Sequence, residues 1–323
     1  MKILAVDDDE IILALLGEAL GAIGENAFEL ANCGEDALTK LGQAGPVFDC
    51  ILLDIQMPGL DGTEVCRRIR AKPQYRKTPI IMLTAMSDRH HIEKAFAAGA
   101  TDYVTKPFDI VELQARLRIA EQLSGQVEQI RQGQNSLDAL ASRVITRPAV
   151  PLDTPLEVDD VRGFLTYVSF RNFIAQLSRG RYYASSLVAL KISDITALHQ
   201  SCDERDFRHL IEDVADAVSE NLRGDGSFFT YVGNGVFVCC ADRVKSTLTE
   251  DFHELIEQTL FQSGSFFDDG QPREIIMLQG VTVNSGVFTG LGSLAIIDRA
   301  IESIEENAKV TKQDDEKQNE MVS

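Results

Sequence analysis

Acidic, hydroxyl and ammonium side chains follow four of the short apolar runs in the first third of the sequence. In chain order they are Asp7, Asp8, Asp54, Thr84 and Lys106. Clustered carboxylates repel one another unless a cation neutralises them, and oxygen ligands that leave room for water suit Mg²⁺. A hydroxyl and an ammonium that face such acids suit a phosphoryl group better than a neutral substrate. The pattern therefore predicts a Mg²⁺ site that handles phosphoryl groups.

The elements that must position these side chains alternate between β and α patterns. Strands are predicted at residues 3–6, 28–31, 50–53, 80–83 and 102–104, and helices at 11–20, 35–41, 62–70, 88–97 and from 110 onward. Such alternation predicts a doubly wound, parallel, five-stranded sheet whose strands end at one common edge. Asp9 and Glu10 have a plainer role, because acids oppose the positive end of a helix that begins there.

Several ordered motifs in this stretch match one family. They are Asp7-Asp8, Asp54 with the turn Met57-Pro58-Gly59-Leu60-Asp61-Gly62, Thr84-Ala85, Gly99-Ala100 with Asp102-Tyr103, and Lys106-Pro107-Phe108. Thr84 lies 30 residues after Asp54, and Lys106 lies 22 residues after Thr84. Residues 1–121 thus resemble the receiver domain of two-component response regulators, which implies a flavodoxin-like fold.

The resemblance implies a role for each matching residue. Asp54 is the expected phosphoacceptor, which takes a phosphoryl group from a histidine kinase, a phosphotransferase or a small phosphodonor. Asp8, Asp54 and the backbone carbonyl of Gln56 are expected to hold Mg²⁺, and Asp7 acts mainly through the water molecules on the metal. Lys106 and Thr84 are expected to contact phosphoryl oxygens. Tyr103 is the expected switch residue, whose ring turns inward after Thr84 moves.

The charge of the chain is acidic and unevenly distributed. The formal net charge is −19; residues 1–120 hold 13 Lys and Arg against 18 Asp and Glu, and the remainder holds 18 against 32. A DNA-binding surface needs a basic stripe that displaces counterions, so direct DNA binding is not expected. No apolar run approaches the roughly 20 residues of a membrane helix. A cytoplasmic protein without a membrane contact is predicted.

A helical linker is predicted over residues 122–156. An apolar stripe continues the last receiver helix through Leu113, Leu117, Ala120, Leu123, Val127, Ile130, Leu137, Leu140 and Val144. The stripe fits a parallel coiled coil that makes a homodimer, or else an amphipathic helix packed on its own receiver. Three prolines, Pro148, Pro151 and Pro155, then end the helix and predict a semi-rigid spacer.

Residues 157–308 read as a second, α+β domain. Helices are predicted at 164–177, 206–222, 249–262 and 296–307, strands at 186–192, 228–232, 236–239 and 280–288, and a disordered tail at 309–323. Gly233-Asn234-Gly235 between two apolar strands predicts a hairpin. The order of elements, with Leu165-Thr166, Arg171, Phe237 and Val281-Thr282-Val283-Asn284-Ser285-Gly286, resembles the GGDEF (diguanylate cyclase) domain, a nucleotidyl-cyclase fold.

The residues that a cyclase of this kind uses for chemistry are replaced. In alignment on Phe237, the two acids of the motif become Gly235 and Val236. The Asp of the first long strand aligns with Lys191, or with Ser193 after a shift, and a lysine would repel Mg²⁺ at that position. The degenerate domain is therefore predicted to lack cyclase activity. Arg223 and Asp225 are the nearest match to the family's product-binding site, although one residue too close together.

These observations predict a response regulator that is phosphorylated on Asp54 with Mg²⁺. Its degenerate second domain is expected to act through dimer rearrangement or by binding an unidentified downstream protein. Three alternatives stay open: an active diguanylate cyclase, a receptor for cyclic di-GMP or GTP, and a phosphate sink that drains a phosphorelay.

Overall fold

The structure is a computed structural model. It describes residues 1–24, 27–43, 45–85, 89–140, 150–179, 185–222, 224, 226–242, 248–264, 275–284 and 294–322. Within this set, side chains are described outside 126–140 and 310–322. The chain forms two compact units, Met1–Thr146 and Arg147–Ser323.

A five-stranded parallel sheet forms the centre of the first unit. Its strands are β1 (Lys2–Val6), β2 (Ala27–Ala31), β3 (Cys50–Asp54), β4 (Ile80–Thr84) and β5 (Asp102–Thr105), in the order β2-β1-β3-β4-β5. Each neighbouring pair is parallel. The predicted flavodoxin-like doubly wound fold is confirmed, since this is its strand order.

Five helices connect and follow these strands. They are α1 (Glu10–Ile23), α2 (Gly34–Lys40), α3 (Gly62–Arg70), α4 (Arg89–Ala97) and α5 (Ile110–Leu140), with a short 3-10 turn at Pro73–Tyr75. Residues of α1 and α5 share one apolar core with alternate residues of β1, β3 and β4. The side chains between them on each strand point to the opposite face of the sheet. Every residue of β3 and β4 is buried, so both faces of the sheet are covered there.

The predicted stripe on α5 begins as part of the receiver core. Leu113, Leu117 and Ala120 are buried against α1 and the sheet, and Ser124 Oγ donates a hydrogen bond to the Asp49 carbonyl at 2.7 Å. This part of the stripe follows the second reading, an amphipathic helix packed on its own receiver. From Val127 onward its side chains lie outside the described set, and Val144 lies outside the described residues. The predicted homodimer stays a prediction.

The second unit is built on an antiparallel sheet. Its strands are β6 (Ser185–Ile192), β7 (Phe228–Gly233), β8 (Val236–Asp242), β9 (Met277–Gln279) and β10 (Val283–Asn284). The order is β10-β6-β8-β7, and β9 also pairs with β6. Omitting β10, the order β9-β6-β8-β7 with helices after β6 and β8 is that of a split β-α-β unit. Of the predicted strand at 280–288, Val283–Asn284 form β10, and residues 285–288 lie outside the described residues.

Helices cover both faces of this second sheet. They are α6 (Tyr167–Arg179), α7 (Ile195–Ser201), α8 (Glu204–Asn221), α9 (Phe252–Ser263) and α10 (Ala295–Val322). Residues of α8 and α9 form one apolar core with β6, β7 and β8. Helix α6 contacts β7, and α10 contacts β6 and β9. The predicted hairpin joins β7 to β8, with Gly233, Asn234 and Gly235 at φ of 98°, 52° and 73°.

Two predicted boundaries differ from the structure. The spacer prediction over residues 148–155 is wrong from residue 150 onward, because Val150 and Leu152 pack against the core of the second unit. The prediction of a disordered tail at 309–323 differs from the structure, in which α10 continues to Val322. That segment is rich in Lys, Glu and Gln, which are good helix formers, and it extends a helix already nucleated by packing.

In the part of the chain that the structure describes, the helices are too short or too polar to cross a membrane.

Candidate phosphoacceptor and metal site

The strand ends of the receiver sheet bring the predicted residues to one edge. Asp54 is the last residue of β3 and pairs with Leu83, so Thr84 lies one residue further along β4. Thr84 pairs with Thr105 of β5, directly before Lys106. The backbone N–H of Lys106 donates to the Thr84 carbonyl at 2.7 Å, so the ends of β4 and β5 are joined.

Three carboxylates meet at this edge. One oxygen from each of Asp7, Asp8 and Asp54 lies within 4.8 Å of the other two. Asp7 and Asp54 are 0% and 3% exposed, whereas Asp8 is exposed. A buried carboxylate loses its hydration, and like charges at this distance repel. The cluster therefore has a strong electrostatic preference for a cation.

Lys106 supplies one positive charge to the cluster. Its Nζ lies 2.6 Å from Asp7 Oδ2 and 2.9 Å from Asp54 Oδ1. Burial by itself lowers the pKa of Lys106, but the contacts with the two carboxylates outweigh burial and raise it. Lys106 is therefore charged at neutral pH, and it holds the carboxylate that the sequence predicts as the phosphoacceptor.

The surroundings of Asp54 raise the pKa of its carboxyl group. Burial raises the pKa of its carboxyl group, and the charges of Asp7 and Asp8 add to this effect, while Lys106 partly offsets it. The ionised carboxylate is thus held in a place where it is costly. Transfer of a phosphoryl group to one of its oxygens would replace the carboxylate charge with about two negative charges on the phosphoryl oxygens, so the need for a nearby cation would grow.

Gly62 lets α3 begin against the end of β3. A Cβ at this position would lie 1.9 Å from the Asp54 carbonyl oxygen, and the Gly62 N–H donates to the Ile55 carbonyl at 2.9 Å. Asp61 caps α3 by accepting from the Glu64 N–H at 2.9 Å. The sequence motif contained Gly62, but its role was missed. A glycine at the first residue of a helix was the signal for close approach of two backbones.

The remaining predicted residues lie near the edge. Gln56 is two residues beyond Asp54, in the loop after β3. Thr84 and Tyr103 are buried, at 2% and 4% exposure. The Tyr103 ring thus occupies a buried position in this structure, and its predicted inward turn stays a prediction. Asp9 caps α1 by accepting from the Ile11 N–H at 2.8 Å, as predicted.

The donor set fits Mg²⁺. The cluster offers carboxylate oxygens, which a hard cation prefers, and exposed Asp8 leaves one side open for water ligands. Asp7 Oδ2 is buried and, among the described residues, receives the Lys106 ion pair but no well-directed hydrogen bond. A second cation would satisfy this oxygen. The fit rests on these side chains. Which of them binds the metal directly, and which acts through its water molecules, stays a prediction.

In the second unit, Lys191 and Gly235 are the positions that the sequence resemblance aligns with metal-binding acids. Lys191 of β6 pairs directly with Val236 of β8, and its Nζ lies 2.6 Å from Glu305 Oε1 of α10. A cavity of about 470 Å³ opens beside them, lined also by Leu152, Asp194 and Asn234. Gly235 lies in the hairpin turn, where a Cβ would meet Ile195 at 2.8 Å. Arg223 and Asp225 lie outside the described residues.

Comparison with known proteins matches the first unit. Residues 3–118 match the response regulator receiver domain. The chain is 37% identical over 157 residues to the transcriptional regulatory protein TrcR of Mycobacterium tuberculosis, covering 47% of this chain and 59% of TrcR. It is 35% identical over 160 residues to the DNA-binding response regulator MtrA of Mycolicibacterium smegmatis, covering 49% and 68%.

A third relative is the response regulator PleD of Caulobacter vibrioides, 32% identical over 157 residues, covering 45% of this chain and 34% of PleD. The chain thus covers less than two thirds of TrcR and PleD. The match to MtrA covers 68% of that protein. The chain therefore belongs to the response regulators of two-component systems, with its receiver domain at the N-terminus.

Proposed function

We propose that the protein is switched by phosphorylation of Asp54 with Mg²⁺, and that its second domain acts by binding another protein. The observation that carries the first part is the position of Lys106, whose ammonium lies between Asp54 and Asp7 at a rim of three carboxylates. Asp7, Asp8, Asp54 and the backbone carbonyl of Gln56 would hold the metal.

The chemistry is one in-line displacement. A carboxylate oxygen of Asp54 attacks the phosphorus of a phosphohistidine on the kinase or phosphotransferase, the P–N bond breaks, and its electron pair stays on the imidazole. The product is an acyl phosphate on Asp54. Mg²⁺ held by Asp7, Asp8 and Asp54 would spread the charge of the phosphoryl oxygens. Lys106 moves from the carboxylate oxygen to a phosphoryl oxygen, and Thr84 donates a hydrogen bond to another.

Return to the starting state requires hydrolysis. Water attacks the phosphorus, the bond between phosphorus and the Asp54 oxygen breaks, and inorganic phosphate leaves. The carboxylate and its ion pair with Lys106 are then restored. In the phosphorylated state, the contacts of the phosphoryl group with Mg²⁺, Lys106 and Thr84 would supply the free energy for the switch. Near-complete switching needs about 5.5 kcal/mol of differential stabilisation.

Incubation with acetyl phosphate tests the acceptor. Wild type is expected to form a retarded band on a phosphate-affinity gel only with Mg²⁺ present, and Asp54→Asn is expected to form none. Asp9→Asn is the matched control, because Asn caps α1 as well as Asp does and Asp9 lies outside the acid cluster. A retarded band from Asp54→Asn would refute the assignment.

The second domain is proposed to be a degenerate GGDEF-like domain without cyclase activity. Lys191 and Gly235 stand where the resemblance requires metal-binding acids, and Val236 stands at the next acid of the motif. Lys191 pairs with Val236 across the sheet, and its ammonium contacts Glu305. Incubation with GTP and Mg²⁺ is expected to give no cyclic di-GMP from either the resting or the beryllofluoride-activated chain. Turnover in either state would establish the cyclase alternative. Calorimetric titration with cyclic di-GMP and GTP tests the receptor alternative.

Output through a protein partner fits the charge of the chain. The residues after 120 hold 18 Lys and Arg against 32 Asp and Glu, and nucleic acid would be repelled by such a surface. MtrA is a DNA-binding regulator by name, but we propose that this chain does not bind DNA. A partner that prefers the phosphorylated form would support the proposal, and its absence would favour the phosphate sink.

A further inference from the structure

The ion pair between Lys191 and Glu305 forms part of the wall of the cavity beside the hairpin turn. Lys191 Nζ lies 2.6 Å from Glu305 Oε1, and both side chains line the cavity. Its volume of about 470 Å³ falls within the range of about 300–1,000 Å³ that small-molecule sites occupy. An ion pair at the wall of such a cavity is a candidate ligand site, because a charged ligand can take the place of one partner.

The two partners of this pair are held differently. Lys191 lies on β6, where its backbone pairs with Val236 of β8 on one side and with Leu278 of β9 on the other. Glu305 lies on α10, which covers the sheet from outside. The Lys191 side chain is 16% exposed and the Glu305 side chain 40%. Lys191 is therefore the fixed, more buried partner, and Glu305 is the one that can turn to water.

This difference selects an anionic ligand. When Glu305 turns away, the Lys191 ammonium stays in the wall without a countercharge, and an unpaired charge in a largely buried position is unfavourable. An anion that contacts Lys191 restores the countercharge, whereas a cation would have to displace the fixed partner. Lys309, one helical turn after Glu305, adds a second ammonium group to the same lining.

The charge of the lining also limits how many charges the anion carries. The charged side chains that line the cavity are Lys191, Lys309, Asp194 and Glu305, and their formal charges sum to zero. The two carboxylates would repel a polyphosphate more strongly than a single charge. The group that Lys191 holds in this structure is itself a carboxylate. A ligand with one carboxylate therefore fits this cavity better than a phosphate chain.

The rest of the lining suits the body of a small organic molecule. Apolar side chains form one part of it, at Ile195, Leu278 and Ala308. Ser193 and Asn234 supply a hydroxyl and an amide, and neither side chain makes a hydrogen bond within the part of the chain that the structure describes. A mostly apolar wall with a few polar groups is the usual composition of a ligand pocket.

The backbone around the cavity is held in place before any ligand binds. Asp194 and Asn234 have left-handed backbone conformations, at φ of 49° and 52°. The Asn234 N–H donates to the Leu152 carbonyl at 2.6 Å, and the Ile192 N–H donates to the Gly235 carbonyl at 3.0 Å. Non-glycine residues in this conformation persist where their surroundings fix them, and they are frequent at ligand sites.

We propose that this cavity binds a small organic molecule with one carboxylate group, which replaces Glu305 on the Lys191 ammonium. Ser193 and Asn234 would donate hydrogen bonds to the molecule, and its apolar body would lie against Leu278. Binding would release Glu305 and so remove one contact between α10 and β6. The site does not rest on phosphorylation of the receiver.

Calorimetric titration of 3-phenylpropionate into the full chain tests the proposal. Glu305→Gln is expected to bind this probe at least about 10-fold more tightly than wild type does, because a tethered carboxylate competes at a high effective concentration. Lys191→Met is expected not to bind it. Glu302→Gln is the matched control and should bind as wild type does, since Glu302 is exposed on the same helix and does not line the cavity.

Two further ligands and a second readout separate this site from non-specific binding. Neutral 3-phenylpropanamide should not bind, and hexanoate, which carries the same carboxylate on a different body, should bind. Hydrogen exchange of α10 near Glu305 should become faster with 3-phenylpropionate in wild type and stay unchanged in Lys191→Met. Equal affinity of wild type and Glu305→Gln, or binding by Lys191→Met, would overturn the site. So would failure of both carboxylates to bind a Glu305→Gln chain that remains folded by circular dichroism.

Pyrophosphate and spermidine test the two competing ligand classes. Each is expected to bind Glu305→Gln more weakly than 3-phenylpropionate does. Tighter binding of pyrophosphate would overturn the carboxylate assignment and favour the GTP receptor. Spermidine binding by wild type that is lost in Glu305→Gln would show that Lys191 is the partner displaced, and would overturn the selection of an anion.

Discussion

Replacement of Lys106 by Met is expected to destabilise the metal-free receiver by about 3–5 kcal/mol, the range for removal of one partner from a buried ion pair. The Lys106 ammonium lies 2.6 Å from Asp7 Oδ2 and 2.9 Å from Asp54 Oδ1. Without it, two buried carboxylates face each other and the exposed Asp8 with no countercharge.

The magnitude follows from these distances. At an effective dielectric constant of about 20, each contact is worth about 6 kcal/mol of attraction. Removing the ammonium from water costs several kcal/mol and offsets much of this gain. Mg²⁺ is expected to restore more stability to Lys106→Met than it adds to wild type, because stabilisation by a ligand grows with its affinity for the folded state and Lys106 no longer repels the metal.

The receiver must be measured separately from the second domain, since the two units need not unfold together. Amide hydrogen exchange of β3 peptides in increasing denaturant, with EDTA or with Mg²⁺, reports the receiver alone. Lys94→Met is the matched control, because Lys94 is exposed on α4, and its effect should stay within about 0.5 kcal/mol. A loss below 1 kcal/mol for Lys106→Met, or no extra rescue by Mg²⁺, would refute the reasoning.

Three further outcomes are expected. Asp54→Asn should stabilise the metal-free receiver at pH 7. Because burial raises the folded-state pKa of Asp54, the stability that this group gives is present below its unfolded pKa and is lost as pH rises through the folded pKa. The advantage of the variant over wild type in denaturant titrations should therefore shrink as pH falls towards 4. Gly62→Ala should destabilise the receiver by about 2 kcal/mol or more, since its Cβ would overlap the Asp54 carbonyl. Gly21→Ala, whose Cβ meets nothing within 4 Å, should instead stabilise α1 by up to about 1 kcal/mol in thermal melts. Arg116→Leu should cost about 3–5 kcal/mol, because it removes the guanidinium that lies 2.7 Å from buried Asp102. Equal stability would mean that the pair contributes nothing beyond its packing.

The receiver could be predicted from the sequence because its chemistry and its fold use the same signal. Each apolar run ends in a polar residue, and parallel pairing then carries those ends to one edge. The sequence therefore places Asp54, Thr84 and Lys106 together. The Lys106–Asp7 contact was not predicted, since it depends on the geometry of the cluster rather than on the order of residues.

The predictions that failed concern segments whose partner is set by tertiary packing. Helical spacing identified the apolar face of α5 but left open whether it forms a coiled coil or packs on its own receiver, and Leu113 and Leu117 follow the second reading. Proline content indicated a spacer, but the chain turns at Leu152, and the side chain of this residue packs against the core of the second unit. The polar tail after residue 309 contains good helix formers, and the helix that precedes it decides their conformation.

Identification of the phosphorylated residue tests the central claim most directly. Wild-type protein treated with acetyl phosphate and Mg²⁺ can be reduced with borohydride, which converts an aspartyl phosphate to homoserine, and then digested for mass spectrometry. The account predicts homoserine at position 54, with Asp7, Asp8 and Asp61 unchanged. Homoserine at another aspartate, or none in a protein that binds Mg²⁺, would contradict it.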